Sequence, residues 1–332
     1  MEPIIEVNNL NKTYRKRKTG ELIQAVSDIS FNVYPGEILG LLGPNGAGKT
    51  TTIKMICGLL RQDSGSVTIK GIDNENKRLK PLKHISAVLE GNRNLYWRLT
   101  VRENLEYFSG NRGQSKRDVK EKIEELLNDF HLKEKENELV NRLSRGMQQK
   151  LAIAVALLAD TDVVLLDEPT LGIDVETSYE VRDILKQLVK KYDKTIIISS
   201  HDMDVIQDLC DRTIIINKGK IVTDDRIENL LKLFEVRTYK LTLGAQLSAE
   251  QQTMLRHKFP SHTYKTESFQ YIVEVDLTGS DEIYELFDIL KLEKTPVESI
   301  DREMVDFEQV FMKIHLQRAM KQLGGSKEVT MS

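Results

Sequence analysis

Cysteine is scarce in this chain: among 332 residues there are two, Cys57 and Cys210, far apart and without the spacing of a metal site. They are expected to be reduced cytosolic thiols packed in a core. Long apolar runs are missing as well. No stretch approaches the roughly 18 consecutive apolar residues of a membrane-spanning helix, so no such helix is expected. Nor does one sign of charge dominate. The 48 basic and 51 acidic residues leave a formal net charge of −3, which argues against a dedicated nucleic-acid binder. The opening MEPIIEVNNL carries an acid at position 2 and no apolar segment, so it is not expected to be a secretory signal. There is no internal repeat and no low-complexity block. Aromatics are few, at 6%, beside 40% hydrophobic and 30% charged residues, the make-up of an ordinary soluble globular protein.

What the chain does have is length for two domains with cores, and a regular change of pattern along it. Short β-rich runs recur: EILGLLG (37–43), ISAVLE (85–90), VVLLD (163–167), TIIISS (195–200) and TIIIN (213–217). Being mostly non-alternating, they suit strands buried on both faces of a sheet. With helical patterns between them they predict a layered α/β domain over residues 1–225. GSVTIKG and NKGKIV read as hairpin pieces closed by glycine turns. Over about residues 95–160, charged helical patterns such as SKRDVKEKIEELLNDF replace the strands, which predicts a helical subdomain inserted in the main sheet. Residues 235–318 read as a small α+β domain. TYKLTL (238–243) and YIVEVD (271–276) alternate as half-exposed strands, SDEIYELFDILK (280–291) and DFEQVFMKIHLQ (306–317) as amphipathic helices. Residues 319–332 read as a frayed tail.

Some residues announce chemistry. Gly43, Pro44, Asn45, Gly46, Ala47, Gly48, Lys49, Thr50 and Thr51 follow an apolar strand and open a helix, matching G-x-x-x-x-G-K-[ST] in the setting that pattern requires. Its glycines let backbone N–H groups turn inward around phosphates. Lys49 supplies a mobile cation for the β- and γ-phosphates, and the Thr50 hydroxyl can sit on Mg²⁺. VVLLDEP ends a buried strand in Asp167 and Glu168, and carboxylates there face the crevice where open α/β sheets bind ligands. Asp167 can hold Mg²⁺ through water, and Glu168 can polarise an attacking water. His201 stands at the end of another strand. Alone it would be read as a structural donor; in register with the loop and the acids it becomes a candidate γ-phosphate sensor.

LSRGMQQK (143–150) raises a separate question, since Ser144 has no histidine or acid nearby to make it a nucleophile. A hydroxyl and bare N–H groups at the start of a buried helix running on to Asp160 make a place for an anion. Asp174 in LGID and Tyr14 in NKTYRK carry little alone, a turn aspartate and a surface tyrosine being the simpler readings. RKRK (15–18) reads as a solvated loop.

Taken together, GPNGAGKTT, LSRGMQQK, LLDEP, LGID and SSHD, in this order and spacing, resemble the ATP-binding cassette of ABC transporters. The likeness covers roughly residues 4–223 and is far more specific than any one motif. It implies a P-loop NTPase fold of the ABC type, with a mixed sheet, an inserted helical subdomain, and ATP and Mg²⁺ as cofactors. By similarity, Ser144 and Gly146 face the γ-phosphate held by a second cassette, Asp174 reaches across the same interface, and Tyr14 contacts nucleotide. The implied partners are that second cassette, expected to be another copy of this chain, and a separate membrane permease; no nucleic acid is among them. The implied location is the cytoplasmic face of the cell membrane. The segment EGNRNLYWRLTVRENLEYF and the C-terminal region resemble, more loosely, ABC-2 type exporters of drugs, antibiotics and polysaccharides.

In one place the chain departs from the family. Glu90 ends ISAVLE where most cassettes place a glutamine that ligates Mg²⁺. A carboxylate is a harder ligand and could preserve coordination, yet it adds negative charge near a triphosphate; the alternative is an ordinary exposed strand end. Tyr96 and Trp97 read either as helical-subdomain packing or as a lip receiving a helix of a membrane partner. The expected function is the ATPase subunit of an exporter. A soluble ABC-type ATPase with a mechanical or regulatory role is the alternative, although no tandem cassette or long coiled-coil insertion is present. A non-hydrolysing binding module conflicts with Lys49 and Glu168, and a nucleotide kinase would have no use for LSRGMQQK.

Overall fold

The structure is a computed structural model that describes residues 2–16, 19–75, 79–91, 94–232, 237–267, 270–277 and 281–302. It divides into two compact units, residues 1–227 and 228–332. In the first, β1 (Ile5–Arg15) and β2 (Leu22–Val33) pair antiparallel. Next, β3 (Ile38–Leu42) begins a second sheet and runs through the glycine loop into α1 (Lys49–Ile56). The expected hairpin follows as β4 (Ser64–Ile69) and β5 (Ile72–Asp73), which completes a four-stranded sheet of order β2-β1-β4-β5. Strands β1 and β2 are a finding. Register shifts between Val7 and Leu10, Leu10 and Lys12, and Lys12 and Thr13 break the two-residue alternation that would have marked them in sequence.

The second sheet gains β6 (Ile85–Val88), then the helices α2 (Val101–Asn111), α3 (Lys116–Asp129) and α4 (Arg145–Leu158) intervene before β7 (Val163–Asp167). Its remaining elements are α5 (Val175–Tyr192), β8 (Thr195–Ser200), α6 (Met203–Leu209), β9 (Arg212–Asn217) and β10 (Lys220–Arg226). Strand order is β10-β9-β3-β8-β7-β6, with every neighbouring pair parallel but β9 and β10. This is the mixed α/β arrangement of the sequence reading. Strands β3, β7 and β8 are buried at every residue, which explains their unbroken apolar character. Each such Leu, Ile or Val contributes about 1.5–3 kcal/mol by leaving water. One cluster joins the two sheets through α1: Val7 and Ile29 from one, Leu41 and Ile197 from the other, and Ile53 and Ile56 of α1.

The three intervening helices sit between strands that are themselves neighbours, Ile85 pairing with Val163 and Val88 with Leu166. They start where local chemistry dictates. Thr100 with Glu103 and Ser115 with Asp118 form capping boxes, and Ser144 caps α4 by accepting from Met147 N. The C-terminal end of α5 anchors the helical region: Lys191 Nζ lies 2.8 Å from Glu125 Oε1, and the Tyr192 hydroxyl donates to the same oxygen at 2.7 Å. These two partners, Lys191 first, draw the Glu125 carboxyl down to about 2. Near the other end of the helix, Lys150 of α4 pairs with Glu180 of α5.

After α7 (Ile227–Lys232), the second unit runs β11 (Arg237–Leu243), α8 (Ala249–Lys258), β12 (Thr263–Glu267), β13 (Gln270–Leu277), α9 (Glu282–Lys291) and β14 (Val297–Arg302). The antiparallel order β12-β13-β11-β14 with two crossing helices is the split βαββαβ, or ferredoxin-like, arrangement. Its core sets Leu241, Leu243, Val273 and Val275 of the sheet against Leu255, Leu286 and Ile289 of the helices. The helix expected over 306–317 and the tail 319–332 lie outside the described residues. Among the described residues no helix is long and apolar enough to cross a membrane.

Candidate functional site

The turn after β3 is shaped by what cannot fit there. A Cβ at Gly43 would fall 2.2 Å from the Ile216 carbonyl oxygen, and one at Gly48, where φ is +112°, would fall 2.5 Å from the Ala25 carbonyl oxygen. Both positions require glycine, one for space and one for backbone angle as well. The loop is also tied from outside, Ala47 O accepting from Gly219 N at 2.9 Å.

Within this turn Lys49 folds back. Its Nζ donates to Gly43 O at 2.7 Å and Pro44 O at 3.4 Å, and lies 3.2 Å from Glu168 Oε1. That Glu168 oxygen is buried without an aligned hydrogen bond, so its link to Lys49 is one of charge and proximity. The Lys49 and Glu168 side chains are only 5% and 6% exposed. Thr50, the next residue, donates through Oγ1 to Asp167 Oδ1 at 3.0 Å, and the Ser199 hydroxyl donates to the same oxygen at 2.6 Å. Asp167 Oδ2 is buried and, among the described residues, has no hydrogen-bond partner. A buried carboxylate oxygen without a donor is costly unless a cation meets it. Asp167 with the Thr50 hydroxyl therefore fits a hard divalent ion such as Mg²⁺. Among the described residues no group of three or more His, Cys, Asp or Glu could hold a metal, so an ion here would need oxygens from a ligand or water.

Glu168 follows β7 with φ +51°, in the left-handed region. Its amide donates to Ser199 Oγ at 3.1 Å and to Ser199 O at 3.2 Å, and its Oε2 lies 3.0 Å from His201 Nδ1. A cavity of about 400 Å³ opens over the loop, lined by Asn45, Gly46, Ala47, Gly48, Lys49, Thr50 and Thr51 together with Glu90 and Glu168. Glu90 thus reaches the loop, though not as a strand end. Strand β6 stops at Val88, and Glu90 stands two residues beyond it in the following turn. A second cavity of about 280 Å³ is lined by Glu90, Asp167 and Glu168 on one side and Arg145, Gln148 and Gly172 on the other.

Four candidate residues, Ser144, Gly146, Asp174 and Tyr14, lie apart from the loop. Ser144 and Asp174 are exposed caps of α4 and α5, and among the described residues neither they nor Gly146 hydrogen-bond to residues 43–51. They do lie close to one another, since a Cβ at Gly146 would fall 2.3 Å from Thr177 Cγ2 in the first turn of α5. Asp174 accepts from Thr177 N and from the Thr177 hydroxyl, both at 2.8 Å, and these bonds, the amide first, hold its carboxyl below the usual range. Tyr14 sits on β1 opposite Ile23, 40% exposed, and does not line the loop cavity. Both cysteines are free and buried. Burial, with a further push from Asp167, raises the Cys57 thiol to about 12, and burial raises Cys210 also. Tyr96 packs on Tyr107 with ring centroids 4.4 Å apart, yet Tyr96 and Trp97 stay 48% and 46% exposed. Ser199 is the contributor that residue type did not announce. Its one signal was the pair of serines that closes a wholly buried strand, TIIISS, after three isoleucines.

Comparison with known proteins bears on this geometry. The family described as ABC transporter matches residues 26–171. The chain is 37% identical over 227 residues to the ABC transporter ATP-binding protein NatA of Bacillus subtilis (strain 168), covering 68% of this chain and 91% of NatA. It is 35% identical over 253 residues to the SkfA peptide export ATP-binding protein SkfE of the same organism, covering 74% and 99%. With the methionine import ATP-binding protein MetN 2 of Bacillus anthracis it shares 32% over 246 residues, covering 73% and 70%. Among solved structures it is similar to the dimeric post-hydrolysis state of the ATP-binding cassette MJ0796 bound to ADP and Pi. The TM-score is 0.60 at 28% identity, over 67% of this chain and 98% of that one.

Proposed function

The chain belongs to the ATP-binding proteins of ABC transporters and is an ATPase of that kind, and on this premise we propose that two copies of it close head to tail on two ATP molecules, each with Mg²⁺, and drive export through a separate membrane permease. The observation that carries the reading is the single network in which Lys49, Thr50, Asp167, Glu168 and His201 meet from the ends of three strands. Thr50 and Asp167 would hold the Mg²⁺, which when bound offsets the negative charge of the phosphates.

The rest of the chemistry belongs to side chains. An arriving triphosphate competes for the Lys49 ammonium, whose present partners are two carbonyls and Glu168. Once Lys49 turns to phosphate, the Glu168 carboxylate loses its cation and becomes available to take a proton from water. His201 steadies that carboxylate through Nδ1, and a ring that carries a proton on Nε2 as well can donate from there to the γ-phosphate. Ser144 accepts from Met147 N, so its own proton is free to be donated outward from the start of α4, beside the backbone amide of Gly146. In this reading those groups, with Asp174, serve the nucleotide held by the other copy, and Tyr14 contacts nucleotide from β1.

A permease partner is favoured by the half-exposed Tyr96, Trp97 and Tyr107, and by Phe108, which packs on Tyr96 and lines a cavity of about 300 Å³ with Val88, Ala152 and Val155. Such aromatics anchor interfaces, and this partner would hold the chain at the cytoplasmic face of the membrane. Export rather than import follows the looser exporter likeness of residues 90–108 and of the C-terminal region; the relatives include one named for each direction. The test is to isolate the chain from its own cells in mild detergent and identify what comes with it. A permease that moves cargo outward in ATP-fed vesicles is the expected result. A chain that hydrolyses ATP and never accompanies a membrane protein is instead a soluble ABC ATPase.

A further inference from the structure

We propose that Ser199 is a positioning residue for the acid pair: its hydroxyl orients the Asp167 carboxylate and, on its other side, fixes the backbone from which Glu168 projects. The inference rests on the reading of Asp167 and Glu168 given above. Ser199 is fully buried on β8, in register with Asp167 of β7 on one side and Leu41 of β3 on the other. Side chains of paired residues on neighbouring strands project to the same face, so this register places hydroxyl against carboxylate. The preceding Ile196, Ile197 and Ile198 are wholly buried, and a hydroxyl among them is costly unless it is bonded.

Ser199 uses both its capacities, and uses them on the acids. It donates to Asp167 Oδ1 at 2.6 Å and accepts from Glu168 N at 3.1 Å, while its own carbonyl shares that N–H at 3.2 Å. The first bond, together with that from Thr50, occupies Oδ1 and leaves Oδ2 as the oxygen without a partner among the described residues. The second secures the amide at the point where the chain bends to φ +51°. A Thr50 hydroxyl that meets Mg²⁺ through an oxygen lone pair can still donate its proton to Asp167 Oδ1. Of the two donors on Oδ1, Ser199 is the one with no ion to hold, and its bond serves to stop the carboxylate from turning.

The test is equilibrium binding of ATP to the full-length protein by calorimetry, in EDTA and in Mg²⁺, for wild type, Ser199→Ala, Asp167→Asn and the double variant. The quantity read is the ratio of the two dissociation constants, which measures how far Mg²⁺ tightens ATP. Ser199→Ala should leave the EDTA value unchanged, which also reports an intact fold, and should cut the ratio about tenfold, the worth of one hydrogen bond to a charged group. Because Ser199 acts through Asp167, adding Ser199→Ala to Asp167→Asn should lower the ratio no further. Mn²⁺ titration of the ATP complex by electron paramagnetic resonance should show the same weakening without any turnover. An unchanged ratio in Ser199→Ala, an equal loss with and without Mg²⁺, or additive losses in the double variant would each overturn the proposal. A wild-type protein whose ATP affinity is indifferent to Mg²⁺ would instead defeat the underlying reading of Asp167.

Discussion

Lys49 and Glu168 stand 3.2 Å apart with side chains 5% and 6% exposed, whereas Ser144 and Asp174, at the starts of α4 and α5, are open to solvent. In the first region the Lys49 and Glu168 charges are buried beside one another, and Lys49 also donates to two loop carbonyls. In the second, the caps spend their bonds within their own first turns and, among the described residues, leave the Ser144 hydroxyl proton uncommitted. The contrast is instructive. A buried cation can exchange internal partners for phosphate inside one chain, because the low-dielectric setting strengthens whichever partner it takes. Exposed helix starts gain comparable strength only when another surface covers them. Variants in the two regions should therefore fail differently.

The largest effect is expected for Glu168→Gln, which should lower turnover about 10²- to 10⁴-fold while ATP still binds, because a positioned base acts mainly in the transition state. Steady-state hydrolysis near the wild-type rate would remove Glu168 from its role and blur the contrast at its strongest point. Lys49→Ala should weaken ATP about hundredfold, a loss of roughly 2.7 kcal/mol. It should also lower the melting temperature, since Glu168 is left buried without its cation. The double variant with Glu168→Gln should recover the melting temperature but not the binding, and calorimetry with thermal melts separates the two.

Ser144→Arg probes the other region. In a Glu168→Gln background ATP should drive dimer formation, and the arginine should weaken that association at least about tenfold with nucleotide affinity intact. Sedimentation showing the same ATP-dependent dimer would mean that the start of α4 is not part of the contact. Glu90, which lines both cavities, should have a smaller effect. Glu90→Gln should keep hydrolysis within about tenfold, or about 1.4 kcal/mol, since an amide oxygen can still meet the ion. Glu90→Ala should raise the Mg²⁺ concentration for half-maximal rate. Coincident Mg²⁺ curves for all three proteins would make it an ordinary surface acid.

The smallest effect concerns the far end of α5. Glu125 is held down to about 2, chiefly by Lys191, so the tie is present above the ordinary carboxylate range and is lost as pH falls toward 2. Glu125→Gln should cost about 1 kcal/mol or less at neutral pH, because the pair is partly exposed and screened. That deficit should shrink on acidification, as denaturant titrations at neutral and acid pH would show.

Legibility in the sequence followed burial. Runs such as VVLLD and TIIISS were readable because both faces of β7 and β8 are covered, and the start of α4 because serine and glycine stand before an apolar period. The bulged β1 and β2 were hidden by their lost alternation. Glu90 was placed on a strand that ends two residues earlier, since Leu89 prolongs the apolar pattern past the last paired residue. The residues around residues 43–51 could be located by type. The pairing of Lys49 with Glu168 and the bonds of Ser199 could not, because they depend on strand register, which is a property of the sheet and not of any segment.

Glu168, at φ +51°, has one more consequence, for engineering. A non-glycine residue held there costs of order 1–3 kcal/mol in local strain, whereas glycine would relax the bend at about 0.4–1 kcal/mol of extra chain entropy in the unfolded state. Against that gain, the exchange would leave Lys49 buried with two carbonyls and no counter-charge, and breaking a buried pair from one side costs about 3–5 kcal/mol. The ion pair therefore outweighs the strain: a library of this protein screened for thermal tolerance alone would accept glycine at position 168 only together with a change at Lys49. A stabilisation campaign that frees both positions at once would trade turnover for robustness, so the pair should be held fixed as a unit.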